Sequence, residues 1–128
     1  MIFINLSTAF IAHFISDFLL QSRDIAKNKS SKYKALFIHV TIITIVMYAL
    51  LKIVGYEHAF MFSILNGLVH GIIDKFIWNG YKYYVIKTSN SLEEANNHKY
   101  YEDHWFYATI GLDQLLHSLT IVILMSIL

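Results

Sequence analysis

The chain has no cysteine and no proline, and only five of its 128 residues are glycine. Without cysteine there is neither a disulfide framework nor a thiolate metal site, so any bound metal must be held by nitrogen and oxygen. Without proline, long helices can run uninterrupted, which argues against a loop-rich soluble domain. Charge is also sparse, since Asp, Glu, Lys and Arg together make up 15% of the residues and the formal net charge is +1. No Gly-rich phosphate loop, GxSxG elbow or nucleic-acid motif occurs, so no nucleic-acid partner is indicated.

Apolar residues are abundant instead, at 56% of the chain with a mean hydropathy of +0.49. Four segments reach the length of about 20 residues that a bilayer requires: Ile2 to Gln21, Ala35 to Val54, Ala59 to Trp78 and Trp105 to Leu128. A soluble four-helix bundle would carry one apolar stripe per helix and a polar opposite face. Stretches such as IITIVMYALLKIV and LTIVILMSIL are apolar all round. The expected fold is therefore all-α, a four-helix transmembrane bundle forming a single integral membrane domain over residues 1–128. A short interfacial loop or helix joins the third and fourth spans. The first segment lacks the basic region and small-residue cleavage site of a secretory signal, so it is expected to be a retained span.

Basic residues are unevenly placed. Arg23, Lys27, Lys29, Lys32 and Lys34 lie between the first two segments, and Lys75, Lys82, Lys87 and Lys99 follow the third. Only Lys52 falls near the short second connection. The positive-inside rule puts both basic loops in the cytoplasm and both termini outside it. Ordinary topology determination explains most of this charge, although both loops also suit an anionic lipid or a lipid-linked, phosphorylated substrate. The loop from Asn79 to His104 is rich in tyrosine and flanked by Trp78 and Trp105. It is expected to lie along the headgroups, with Ser89 or Ser91 capping a helical turn that contains Glu93 and Glu94.

Within the apolar segments, His13 and Asp17, His70 and Asp74, and Asp113 and His117 are each four residues apart, and the second segment adds His39. Residues at i and i+4 share a helix face. Counted inward from the cytoplasmic ends at ~1.5 Å per residue, Asp17, His39 and Asp74 lie roughly 6 to 8 Å deep. His13 and His70 lie roughly 12 to 14 Å deep on the same count. Asp113 and His117 reach those two depths if the fourth span enters the bilayer near Ala108. Seven ionisable side chains from four helices would then share one band.

Such groups are costly at mid-bilayer, at about 2.5 to 3.5 kcal/mol per charge, and by default mark a functional site. Imidazole and carboxylate on facing helices are suitable ligands for a divalent transition metal such as zinc, iron or manganese. Four histidines and three aspartates suffice for one or two ions. Gln21, one turn beyond Asp17, and Gln114, beside Asp113, are candidates for orienting the ligands by hydrogen bonds. Lys75, beside Asp74, either snorkels to the interface or binds a phosphate. The plainer alternative is that the whole band consists of interhelical hydrogen bonds that fix packing.

His13 with the DFLLQ at 17 to 21, His39, HGIIDK at 70 to 75 and DQLLH at 113 to 117 together resemble a family of small bacterial and phage membrane proteins. That family is known only as a domain of unknown function. The resemblance runs over nearly the whole chain and implies a polytopic protein of the cytoplasmic membrane with this His/Asp/Gln set as its hallmark. It implies no activity.

From the residues themselves, the leading expectation is a membrane-embedded metal-dependent hydrolase. It would act on a lipid-linked ester or phosphoester at the cytoplasmic leaflet, with Asp17 or Asp113 as general base and Lys75 attracting the headgroup. The alternatives are proton or metal-ion conduction along the same residues, and a structural or regulatory membrane protein whose polar band only fixes helix packing. Nothing in the sequence sets the oligomeric state.

Overall fold

Segments apolar on every face can satisfy their backbone in lipid only by forming helices or a closed barrel. In the computed structural model, which describes residues 1–128, every regular element is helical. α1 (Ile2–Phe14) runs into a π turn (Ile15–Leu19), and α2 (Arg23–Asn28) leads to α3 (Tyr33–Ile53). α4 (Ala59–Thr88), α5 (Leu92–Asn96), a 3₁₀ turn (Tyr100–Glu102) and α6 (His104–Ile127) complete the chain. Four helical stretches, Ile2–Leu19, α3, α4 and α6, are long and apolar enough to cross a membrane. This is the four-helix bundle of an integral membrane protein.

Two boundaries differ from the hydropathy reading. α4 does not stop near Trp78 but continues through Asn79–Thr88, so the first part of the expected interfacial loop is helix. Polar residues there lower the hydropathy, yet none of them breaks a helix. The first stop is Ser89, whose ψ of 148° is extended. At 30 residues and ~1.5 Å each, α4 is about 45 Å long against a hydrocarbon core of about 30 Å. The second difference is α2, an unanticipated helix whose start Ser22 caps by accepting from the Ile25 N–H at 3.3 Å. Lys82 on α4 ties the end of this segment down, donating to Ser30 Oγ at 2.7 Å and to the Lys27 carbonyl at 3.2 Å.

Of the two candidate caps for the turn after α4, Ser91 is the one used. It accepts from the Glu94 N–H at 3.1 Å, while Glu94 accepts from the Asn90 N–H at 2.9 Å. Asp103 starts α6 by accepting from the Trp105 N–H at 2.9 Å and also accepts from the Tyr81 hydroxyl at 2.8 Å. Burial pushes the Asp103 carboxyl up, but the Tyr81, Trp105 and His98 hydrogen bonds outweigh it and hold the group below the usual aspartate range.

The interior is as polar as it is apolar, with twelve hydrophobic and twelve polar or charged buried side chains, while Phe3, Phe37, Ile53, Phe60 and Phe76 face outward. In water that surface would be an aggregation liability. In lipid it is the face that meets acyl chains. The apolar interior gathers at one end, where Ala9, Ala12, Met47, Leu51, Phe62, Ile121 and Met125 pack together. The polar interior fills the other end.

Lipid provides no hydrophobic force between helices, so close packing of small residues and polar contacts must hold them together. Gly67 and Gly71 on α4 form a Gly-x-x-x-Gly pair against α3. A Cβ at Gly67 would collide with Thr44, and one at Gly71 would come within 2.8 Å of Val40 Cγ2. His70 lies inside this pair, so the close approach of α3 also brings His39 to His70.

Candidate metal centre

The first helix is set locally by its π turn. Leu20 N–H donates to the Ile15 carbonyl at 2.9 Å, a five-residue step in place of the usual four, and Ser16 Oγ donates to the Ala12 carbonyl. π turns are rare and frequent at functional sites. Here the turn carries Asp17, which is 4% exposed and faces the bundle axis.

All seven of the His and Asp residues singled out by spacing converge, and each is buried. His39 Nε2 lies 3.1 Å from Asp17 Oδ1, 3.1 Å from Asp74 Oδ2 and 3.2 Å from His70 Nε2. His70 Nε2 lies 3.2 Å from Asp74 Oδ2 and 3.7 Å from Asp17 Oδ1. These five separations are edges of one four-cornered figure. A tetrahedral ion with ligand bonds of about 2.0 Å has corner-to-corner distances of about 3.3 Å. Asp17, His39, His70 and Asp74 could therefore hold a metal ion, and Asp17, Asp113 and His117 form a second, adjoining group.

The remaining contacts complete the cluster. His117 Nε2 is 3.4 Å from Asp113 Oδ1 and 3.7 Å from Asp74 Oδ1, and its ring stacks on that of His70 with centroids 3.7 Å apart. His13 Nε2 is 3.9 Å from Asp17 Oδ2. Neither oxygen of Asp74 is engaged in a well-directed hydrogen bond, nor is Asp113 Oδ1 or His117 Nε2. Buried polar atoms in native proteins are almost always hydrogen-bonded. Asp74 Oδ1 has the Lys29 ammonium beside it at 2.8 Å, whereas Asp113 Oδ1 and His117 Nε2 converge with no donor directed at them, as a cation site requires.

Gln114 belongs to the centre directly. Its Nε2 donates to Asp17 Oδ2 at 2.9 Å and to Asp113 Oδ2 at 3.2 Å, and its Oε1 is 3.1 Å from His13 Nε2. Gln21 does not join these residues. The π turn ends at Leu19, so the one-turn relation to Asp17 is lost, and Gln21 Oε1 is buried without a partner. Lys75 is also outside the cluster. One residue beyond Asp74 is about 100° around the helix, and its ammonium instead meets the Tyr33 hydroxyl at 2.9 Å and lies over that ring.

The lysine that does enter is Lys29, which the sequence places among four other cations of a basic loop with nothing to distinguish it. The α2 segment folds it inward to 5% exposure. Its Nζ lies 2.8 Å from Asp74 Oδ1, 3.4 Å from Asp17 Oδ1 and 3.4 Å from His39 Nε2. Burial alone would lower the pKa of this ammonium, but the Asp74 and Asp17 carboxylates outweigh burial and raise it.

A bundle of membrane-length helices closed around a buried histidine–aspartate centre is the class that fold and geometry define. The chain matches the family model described as "Protein of unknown function (DUF3307)" over residues 4–128, and it belongs to that family. Comparison with curated proteins and with solved structures gave no match.

Proposed function

We propose that the protein is a metal-dependent hydrolase of the cytoplasmic membrane, acting on a lipid-linked phosphoester at the cytoplasmic leaflet, with both termini outside the cytoplasm. The observation that carries the metal reading is the set of near-tetrahedral separations among Asp17, His39, His70 and Asp74. Charge supports it independently. Three buried carboxylates and one buried ammonium leave two negative charges when the histidines are neutral, which one divalent ion balances. Two such ions would overshoot, so a single ion is favoured.

A divalent ion held by three of the four side chains Asp17, His39, His70 and Asp74 would keep one position for a water, whose pKa it would bring toward neutrality, and would polarise the phosphoester. Asp17 is committed to the four-cornered group, which leaves Asp113 as the general base. In the reaction, water attacks phosphorus, the P–O ester bond breaks, and the proton taken by Asp113 returns to the leaving alkoxide. Gln114, which bridges Asp17, Asp113 and His13, holds these groups in register. Conduction is disfavoured by the opposite end of the bundle, where Phe62, Met47, Leu51 and Ile121 pack without a polar path. The polar strip on α4 reaches only Asn66 and Ser63 beyond His70.

Plasma mass spectrometry of protein purified in detergent under metal-replete conditions tests the first step, with one divalent ion per chain expected. Release of phosphate or alcohol from a lipid phosphoester by the metal-loaded protein tests the second. Absence of metal would remove the hydrolase reading in favour of a packing role. Metal without any turnover would retain the centre and remove catalysis.

A further inference from the structure

Beside the centre, on the other side of Lys29, lies a cavity of about 140 Å³ between the α2–α3 turn and α4. Its walls include Ser30, Ser31, Lys32, Tyr33, Lys75 and Asn79, with Leu36 as an apolar edge. No carboxylate lines it. That is unusual next to three buried aspartates, and it follows from Lys29 standing between them and the cavity. The volume is well above the ~10–15 Å³ that one water needs and has room for the five heavy atoms of a phosphate group.

The lysines around this cavity are not equivalent. Lys29 is compensated by Asp74 and Asp17, and Lys82 is engaged with Ser30 and the Lys27 carbonyl. Lys32 and Lys75 have no anionic partner, since Lys75 meets only the neutral Tyr33 hydroxyl and Lys32 forms no ion pair. α3 starts at this wall with Lys32 at its N-cap and no side chain capping its first amides, and a helix N-terminus attracts anions. Two ammonium groups without an anionic partner, two serine hydroxyls and an uncapped helix start match a dianion. A phosphomonoester carries about −1.5 to −2 at neutral pH.

We propose that this cavity is a phosphomonoester site, which binds a terminal phosphate through Lys32 and Lys75. The proposal deepens the hydrolase reading and rests on it for the statement that the bound group is substrate or product. Binding itself does not require the metal. The phosphate could belong to a lipid such as phosphatidic acid or to a soluble ester, and the chemistry of the cavity is the same for both.

The test uses the full chain in a non-ionic detergent, titrated with dihexanoyl phosphatidic acid, inorganic phosphate and, as a neutral-headgroup control, dihexanoyl phosphatidylcholine. Binding is read from the upward shift of the thermal unfolding midpoint. Phosphatidic acid is expected to raise the midpoint and phosphatidylcholine to leave it unchanged. Lys32→Ala and Lys75→Ala are each expected to weaken phosphatidic acid binding about tenfold, while Lys52→Ala, at the opposite end of α3, leaves it unchanged. A tenfold loss corresponds to ~1.4 kcal/mol. Binding of phosphatidic acid but not inorganic phosphate would assign the site to a lipid headgroup, and binding of both would extend it to soluble esters. Equal response to phosphatidic acid and phosphatidylcholine, or lysine variants that bind as wild type does, would overturn the proposal. Metal content measured on the same samples separates the two readings, because Lys32 and Lys75 lie outside the ligand set and their variants should keep the wild-type ion.

Discussion

Replacing Asp74 with Asn gives the sharpest test of the centre, because this carboxylate lies against Lys29, His39, His70 and His117. It is fully buried, within 3.1 and 3.2 Å of the His39 and His70 Nε2 atoms, and 2.8 Å from the Lys29 ammonium. Asparagine preserves the shape and removes one negative charge. With a divalent ion bound, the variant then holds one positive charge that nothing nearby compensates. An uncompensated buried charge costs about 3–5 kcal/mol, which at ~1.4 kcal/mol per decade is roughly two to three and a half orders of magnitude in metal affinity. Competition with a chelator of known affinity, followed by mass spectrometry of the protein fraction, measures it. The paired variant Asp74→Asn/Lys29→Met removes one charge of each sign and restores the wild-type balance. It is expected to recover at least a tenfold part of the loss despite the missing ligand. An Asp74→Asn protein that binds metal within threefold of wild type, or a double variant weaker than the single one, would refute the charge argument. Circular dichroism and gel filtration on both variants establish that the helices and the monodisperse state are retained.

Two other expectations follow from the same geometry. Gly71→Leu forces α3 away at Val40, so it should lower the detergent unfolding midpoint and the metal content together, whereas Gly80→Leu, with open space at its Cβ, should change neither; loss of stability with full metal content would separate packing from the site. Reporter fusions at Leu128 and within Ser89 to Asn97 should place the C-terminus outside the cytoplasm and the loop inside, and a cytoplasmic C-terminus would contradict the proposed four-span orientation.

The convergence of the seven histidine and aspartate side chains was legible in the sequence because the helical period is rigid. Once four residues separate His70 from Asp74, a shared face follows from geometry, and apolar surroundings force that face inward. The rest depended on information that no spacing carries. Lys29 looks like any other residue of a basic loop until the chain reverses at Ser30 and Ser31 and turns it inward. Lys75 is adjacent to Asp74 in sequence, and adjacency on a helix means divergence rather than contact. Gln21 was assigned by assuming that α1 keeps its pitch, and the π turn removes that assumption. Hydropathy marked the polar end of α4 as loop, although Trp78 to Thr88 contains nothing that stops a helix. One missed feature had a visible signal, since Gly67 and Gly71 bracket His70 at the spacing known to bring membrane helices together.

The order of charges along the chain has a consequence for biogenesis. Asp17 leaves the ribosome first and Lys29 follows twelve residues later, so the first span can enter the bilayer with its acid next to a cation encoded almost beside it. Asp74 and Asp113 arrive later on separate spans, and each brings a carboxylate for which the chain supplies no further buried cation. Each can be inserted alone at a tolerable cost, but the assembled bundle collects both. The last helix to dock therefore completes a cavity short of two positive charges when its histidines are neutral, and under the proposed metal reading capture of a divalent ion would be the final step of maturation.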